Sequence, residues 1–177
     1  MVDEELRGII ELARRGDQDA FAKLVTRFKG HVYRYAAGML GDRMDAEDAA
    51  QEAFTKAYFA MGKLDDAHAF FGWLMQIVTN HCKDKLRQRM KRFETGDMPD
   101  ETVPDTSAAD PAVKMSIEEA LGRLSIEHRE TVLLHDVQGF RYDEIAKLTG
   151  IPIGTVKSRL FTARMSLRKL LDKGEGE

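Results

Sequence analysis

Residues 142–164 read Tyr-Asp-Glu-Ile-Ala-Lys-Leu-Thr-Gly-Ile-Pro-Ile-Gly-Thr-Val-Lys-Ser-Arg-Leu-Phe-Thr-Ala-Arg. Two helical patterns flank a break at Gly150. In the first, Ile145, Ala146 and Leu148 point inward. Gly150 suits the left-handed residue that ends a helix, and Pro152 cannot continue that helix. Thr155 is placed to cap the next one. Val156, Leu160, Ala163, Leu167 and Leu170 then recur at three- and four-residue spacing, which predicts one buried face. Lys157, Ser158, Phe161, Arg164 and Arg168 occupy the other. Two helices around a short Gly turn, the second with a basic outer face, predict a helix-turn-helix that reads DNA. A plain helical hairpin with a solvated basic face is the alternative. The short turn, the small residues opening the second helix and the excess of Lys and Arg over acids from Lys157 to Lys173 favour the DNA reader.

The chain has 177 residues, 43% hydrophobic and 32% charged, which suits one domain or two small ones with a core. Its net charge is -3, so a DNA-binding surface must concentrate the cations rather than spread them. The single Cys82 excludes an internal disulfide framework and fits a reducing cytoplasm. The acidic start Met-Val-Asp-Glu-Glu is unlike a signal peptide, and no apolar run approaches membrane length.

Taken from the start, Leu6, Ile9, Ile10 and Ala13 form one amphipathic set that closes near Gly16. Asp17 is expected to cap a second helix with the stripe Phe21, Leu24, Val25, Phe28, Val32, Tyr35 and Ala36, loosened at its end by Gly38 and Gly41. A third helix is expected to start at Asp45, with Asp48 in its first turn. Ala46, Ala50, Ala53, Phe54, Ala57, Tyr58 and Met61 make its predicted inner face. Glu47, Asp48, Gln51, Glu52 and Thr55 lie outside. That acidic face is either simply solvated or a docking surface for a basic partner helix.

After a polar loop, residues 70–92 form the only segment with a Trp. Phe70, Phe71, Trp73, Leu74, Ile77 and Val78 point to one side. Gln76, Asn80, Lys83 and Arg87 are spaced four, three and four apart, so they form a stripe beside Trp73. Amides bond base edges and cations bind phosphate, so the stripe predicts nucleic-acid contact. It runs into Lys85, Arg89, Lys91 and Arg92, more cations than a helix C-terminus needs. Residues 94–111 are acidic, hold no Lys or Arg and contain three of the four prolines, which predicts a flexible linker. The expected architecture is all-α: two small helical domains, 1–93 and 112–177, joined by this linker. The second opens with Met115 to Leu124, and Ser125 caps a helix through Val137.

Catalytic signatures are missing. There is no Gly-rich phosphate loop and no Ser/His/Asp pattern; His81 and Cys82 diverge by about 100° on a helix and chelate poorly. His128 and His135 lack acidic or thiol company. No enzyme activity, cofactor or metal is expected.

The motifs in their order resemble the extracytoplasmic-function (ECF) sigma factors, the smallest RNA polymerase sigma subunits of the sigma-70 family. They are Gly-Asp-Gln-Asp-Ala-Phe (16–21), Asp-Ala-Glu-Asp-Ala-Ala-Gln-Glu-Ala-Phe-Thr-Lys-Ala-Tyr (45–58) and Phe-Phe-Gly-Trp-Leu (70–74), followed by Leu-Ser-Ile-Glu-His-Arg-Glu-Thr-Val (124–132), Tyr-Asp-Glu-Ile-Ala (142–146) and Ile-Pro-Ile-Gly-Thr-Val-Lys-Ser-Arg-Leu (151–160). The resemblance implies that 1–93 is region 2 and 112–177 region 4. It implies that Asp45, Asp48, Gln51, Glu52 and Thr55 grip the clamp helices of the largest subunit of core RNA polymerase. Trp73, Gln76, Asn80, Lys83 and Arg87 would melt and read the minus-ten element, with Asn80 holding a flipped base. Thr155, Lys157, Ser158, Phe161, Thr162 and Arg164 would meet the minus-thirty-five element. An anti-sigma partner, a stress-response role, a monomeric free state and a cytoplasmic location are also implied. Gly72 and Gln76 stand where family members often have Thr and Arg, and Thr162 where a cation often follows the aromatic. These departures bear on promoter sequence. Two rival readings remain: a dimeric regulator with a sensor domain, and an interaction module that uses only its acidic faces.

Overall fold

Short polar side chains set where the helices begin. The computed structural model describes residues 3–96 and 115–172. Asp3 accepts a 2.7 Å bond from the Leu6 amide and starts α1 (Glu4–Arg14). Asp17 accepts from Ala20 at 2.8 Å and starts α2 (Gln18–Leu40). Each such cap stabilises its helix by about 1 kcal/mol. α3 (Arg43–Ala60) is capped by Asp42, whose carboxylate accepts from the Asp45 amide at 2.8 Å. The expected start at Asp45 is therefore two residues late, and Asp48 falls in the second turn. Asp42 wins because its extended backbone can turn its carboxylate onto the first free amides, whereas Asp45 is already helical.

Two 3-10 turns, Met61–Lys63 and Ala67–Ala69, lead into α4 (Phe70–Thr95). α4 ends at Gly96, whose φ of 70° closes the helix. Glu94 and Thr95 belong to this helix rather than to the linker, and the rest of the expected linker, from residue 97, lies outside the described residues.

The second half opens with α5 (Ile117–Gly122), started by a capping box in which Ser116 and Glu119 exchange bonds. α6 (Ile126–Val132) is capped by Ser125 and runs on through a wider turn over Leu133–Val137. α7 (Tyr142–Thr149) ends at Gly150, with φ 71°. α8 (Ile153–Asp172) follows. Helices supply every regular element among the described residues, so the all-α expectation holds.

The core of the first half is built from Ile10, Leu24, Val32, Tyr35, Met39, Leu74, Met75 and Val78, all fully or almost fully buried. On α3 the buried residues are Ala46, Ala49, Ala53, Phe54 and Ala57. Ala49 takes the place expected for Ala50, and Tyr58 is exposed. Alanine carries too little apolar area to fix the phase of a helix from sequence, so neighbouring residues decide it.

The two halves also pack against each other. Gly38 lies inside α2, and a Cβ there would stand 2.6 Å from Cδ2 of Leu133. It does not loosen the helix end; it lets the second domain come close. Phe71 stacks on Phe140 with centroids 5.1 Å apart, and Phe28 stacks on Phe71 at 5.4 Å. Gln138 Oε1 accepts from His31 Nδ1 at 3.1 Å, and Gln138 Nε2 donates to the His31 carbonyl at 3.1 Å.

Candidate polymerase and nucleic-acid interfaces

α3 offers the first surface. Asp48, Gln51, Glu52 and Thr55 are exposed on one side, opposite the buried alanines. Glu52 meets Lys56 at 3.7 Å across one turn, a contact worth little in water. Asp45 is placed differently. Lys85 bonds it at 3.2 Å and Arg89 bonds its other oxygen, while Arg89 also donates to the Leu40 carbonyl at 3.0 Å. Burial by itself would raise the Asp45 carboxyl, but the bonds and charges of Lys85 and Arg89 outweigh it and hold the group below its usual range. Asp45 thus ties α3 to α4 and is not presented outward with the other four.

Two residues on this face have no counterpart in the sequence reading. Met44 is 75% exposed and Phe59 81% exposed. With Asp48, Glu52 and Thr55 they fall at helical spacing along one stripe. The sequence reading assigned neither residue to a face, and Met44 precedes the helix start expected there.

α4 carries the second surface. Gln76, Asn80 and Arg87 are exposed and Trp73 is partly buried. Trp73 and Gln76 line a cleft of about 850 Å³ with Lys63, Asp66 and His68 on one wall and Glu144 and Lys147 of α7 on the other. Arg87 contacts Asp84 at 3.6 Å. Lys83 does not stand open with the rest of the stripe. Its ammonium is 3.0 Å from the Glu130 carboxylate of α6, whose side chain is 2% exposed. This is a charge contact rather than a well-aligned hydrogen bond, since that same oxygen has no directional donor. The cation run read from sequence as nucleic-acid surface is therefore divided: Lys83, Lys85 and Arg89 hold acids of the fold, and Lys91 and Arg92 are exposed. Burial pushes the Cys82 thiol up to about 12, which keeps it unreactive inside α4.

α8 carries the third. Val156, Leu160 and Ala163 are buried, with Leu167 and Leu170 partly so, as the spacing predicts. Lys157, Ser158, Thr162 and Arg164 face out, and Phe161 is 70% exposed. Thr155 does not cap α8: the helix begins two residues earlier, and the amides of Thr155 and Val156 bond the Pro152 carbonyl at 3.0 and 3.1 Å. Proline supplies a pre-set φ for this start, which brings the helix forward. The Ser158 hydroxyl donates to the Thr155 carbonyl at 3.0 Å. Arg164 donates to Asp136 through Nε at 3.1 Å and through a second, shorter contact. Asp136 thereby fixes the Arg164 guanidinium beside Lys157 and Phe161, around a shallow hollow of about 340 Å³.

Among the described residues no group of three His, Cys, Asp or Glu side chains is arranged to hold a metal ion. No described helix is long and apolar enough to cross a membrane.

A helix-turn-helix with a cationic, aromatic outer face, a second amide-bearing helix and an acidic helix face define a two-domain helical DNA reader that docks on another protein. Comparison with known proteins narrows this. Residues 24–92 match the family model for sigma-70 region 2, and residues 114–167 match that for sigma-70 region 4. The chain is 30% identical to the RNA polymerase sigma-H factor of Pseudomonas aeruginosa, over 97% of this chain and 96% of that one. It is 30% identical to the ECF RNA polymerase sigma factor SigW of Bacillus subtilis, over 92% and 94%. Among solved structures it is similar to CnrH in complex with the cytosolic domain of CnrY (TM-score 0.72, 27% identity, covering 94% of this chain and 96% of that one). It is also similar to the sigma factor RpoE in complex with the anti-sigma factor NepR from Bartonella quintana (TM-score 0.71, 26% identity, covering 86% and 96%). The chain belongs to the ECF group of the sigma-70 family of RNA polymerase sigma factors. Its function is promoter-specific transcription initiation with RNA polymerase.

Proposed function

We propose that each of the three surfaces has one task in initiation. The single observation that carries this is their separation: three outward faces on three helices, each with its own chemistry, on a chain of this family. The exposed acids and amides of α3, Asp48, Gln51, Glu52 and Thr55, dock on the clamp helices of core polymerase. Charge complementarity there sets orientation and partner choice more than raw affinity. Asp45 supports this face from behind through Lys85 and Arg89.

On α4, Trp73, Gln76 and Asn80 receive the melted minus-ten strand, with Lys83 and Arg87 on its phosphates. Stacking on an aromatic ring and amide bonds to the pairing edge offset the cost of unstacking a base. On α8, Lys157, Ser158 and Phe161 enter the major groove at the minus-thirty-five element. Thr155 and Thr162 flank them and Arg164 meets the backbone, oriented by Asp136. The region 2 unit spans 1–93 with α4 continuing to Thr95, and the region 4 unit spans 112–177.

The protein acts in the cytoplasm as a monomeric, non-enzymatic subunit. Similarity to the sigma factor RpoE solved with the anti-sigma factor NepR supports an anti-sigma partner. The experiment is assembly: purified chain is mixed with core polymerase and run on a sizing column. A stoichiometric complex supports the reading. A chain that elutes as a free dimer beside unaltered core would favour the dimeric-regulator alternative.

A further inference from the structure

Asp136 places a carboxylate beside the DNA-reading face of α8, where it repels phosphate. It stands in the wider turn that closes α6, in which the Gln138 amide reaches back to the Leu133 carbonyl at 3.0 Å. Leu133 and Leu134 are buried there, and Asp136 is left outside against α8. Turns of this width are frequent at functional sites. One oxygen of Asp136 accepts from Arg164 Nε at 3.1 Å and the other from Arg164 Nη2. The pair takes up the side edge of the guanidinium and leaves the end edge, one N–H from each terminal nitrogen, for a second acceptor. Tyr142 reaches the same guanidinium from α7 and lines the hollow with it. Next to Asp136, His135 donates from Nδ1 to the Phe140 carbonyl at 2.7 Å and packs on Tyr142 with ring centroids 4.9 Å apart. Lys157 lines the same hollow but has no acidic partner among the described residues, so Arg164 alone is tied.

We infer that Asp136 is a positioning residue for promoter discrimination: it fixes Arg164 so that the end edge of the guanidinium meets a DNA phosphate in one register only. This rests on the assignment of α8 to the minus-thirty-five element. It goes beyond the orientation of one side chain, because the carboxylate that weakens binding to DNA at large sharpens the choice among sequences.

Stability does not account for the pair. The Arg164 and Asp136 side chains are 47% and 36% exposed, and an ion pair this open to water contributes little to folding. General affinity for DNA does not account for it either, since a negative charge beside the groove lowers binding to any sequence. Discrimination does. An unrestrained arginine swings to whichever phosphate lies near, so it rewards right and wrong sequences alike. A fixed one reaches its phosphate only when Lys157, Ser158 and Phe161 have seated the helix in the right register. Its side-chain freedom is already lost in the free protein, so the specific complex loses little more on forming.

The sign of one substitution separates these explanations. Holoenzyme is assembled from core polymerase and the full-length chain as wild type, Asp136→Asn, Arg164→Ala or the double variant. Each is offered a duplex library of random sequence, and sequencing reads the total DNA retained and the enrichment of the distal promoter element. Removing a negative charge would by itself tighten all binding. Asp136→Asn is expected to retain as much DNA as wild type or more, yet to enrich the distal element about fivefold less, the scale of one well-made contact. In the Arg164→Ala background the same substitution is expected to leave enrichment where it is. Unchanged or higher enrichment with Asp136→Asn overturns the proposal. So does an equal loss in the Arg164→Ala background, because Asp136 would then act through the fold. The salt slope of binding is expected to fall by about 1 with Arg164→Ala, as loss of one phosphate contact requires, and an unchanged slope overturns phosphate as the acceptor. Circular dichroism checks helicity; should Asp136→Asn lose it, Arg164→Lys decides by the same criterion, since lysine keeps the charge but has no side edge to be held. Phe161→Ala isolates the underlying reading: if Asp136→Asn lowers enrichment and Phe161→Ala does not, the positioning role stands and the assignment of Phe161 to the base edges falls.

Discussion

Asn80 is the most discriminating position, because removing its side chain separates stability from function. The residue is exposed on α4 and its amide makes no hydrogen bond among the described residues. Asn80→Ala should therefore alter stability by no more than about 0.5 kcal/mol, the usual range for an exposed position without a structural partner. If the amide bonds the pairing edge of a flipped base, its loss removes about 1–3 kcal/mol of recognition, a ~5- to 150-fold drop in open-complex formation. Core binding and duplex capture should be unchanged, since α3 and α8 are untouched. Permanganate reactivity of unpaired thymines reads the melted region directly. A template already mismatched across the minus-ten box should recover part of the loss, because unpairing no longer has to be driven. Recognition of the flipped base should stay weak. Full permanganate reactivity with Asn80→Ala on a fully paired promoter would refute the reasoning and leave Asn80 as a solvated surface residue.

The other surfaces make equally separable predictions. Asp48→Arg or Glu52→Lys should abolish co-purification with core polymerase while melting temperature moves little, because both side chains are exposed opposite Ala46, Ala49 and Ala53; retained assembly would remove α3 from the docking face. Lys157→Ala and Phe161→Ala should each weaken promoter binding by about 1–3 kcal/mol, with footprints lost at the minus-thirty-five box and kept at the minus-ten box. Asp45 has a depressed pKa in the folded chain, so its stabilising effect is present above the unfolded carboxyl pKa and is lost as pH falls through the folded value. Asp45→Asn should accordingly lower the melting temperature at neutral pH, and the gap from wild type should narrow as pH falls below the ordinary carboxylate range. A gap that does not depend on pH would mean that Lys85 and Arg89 do not hold the carboxylate.

What the sequence disclosed depended on how local the cause was. Gly150 and Pro152, the apolar spacing of α8 and the capping residues Asp17 and Ser125 act within a few positions, so the helix-turn-helix and the starts of α2 and α6 were legible. On α3 the expected inner face held at Ala46, Ala53, Phe54, Ala57 and Met61 but missed Ala49 and included the exposed Tyr58, because small alanines fix the edge of a buried face poorly. Its start was misplaced because Asp42 and Asp45 are chemically equal candidates and only backbone shape distinguishes them. Lys83, Lys85 and Arg89 looked alike in sequence. Their partners, Glu130 and Asp45, lie at least forty positions away, and no periodicity encodes such pairings. The same holds for Gly38, whose small size answers Leu133 of the other domain rather than any need of α2. Met44 and Phe59 were assigned to no face in the sequence, and only the folded helix shows them exposed beside Asp48 and Glu52.

Promoter-specific initiation by this chain is read out by mapping transcription start sites. Core RNA polymerase free of other sigma subunits is supplied with the purified chain and fragmented bacterial DNA, and the 5′ ends of the transcripts are sequenced. Discrete start sites that share two upstream elements are expected, with Asn80→Ala weakening initiation through the proximal one and Phe161→Ala through the distal one. Transcripts from random positions, or none beyond those of core alone, would contradict it.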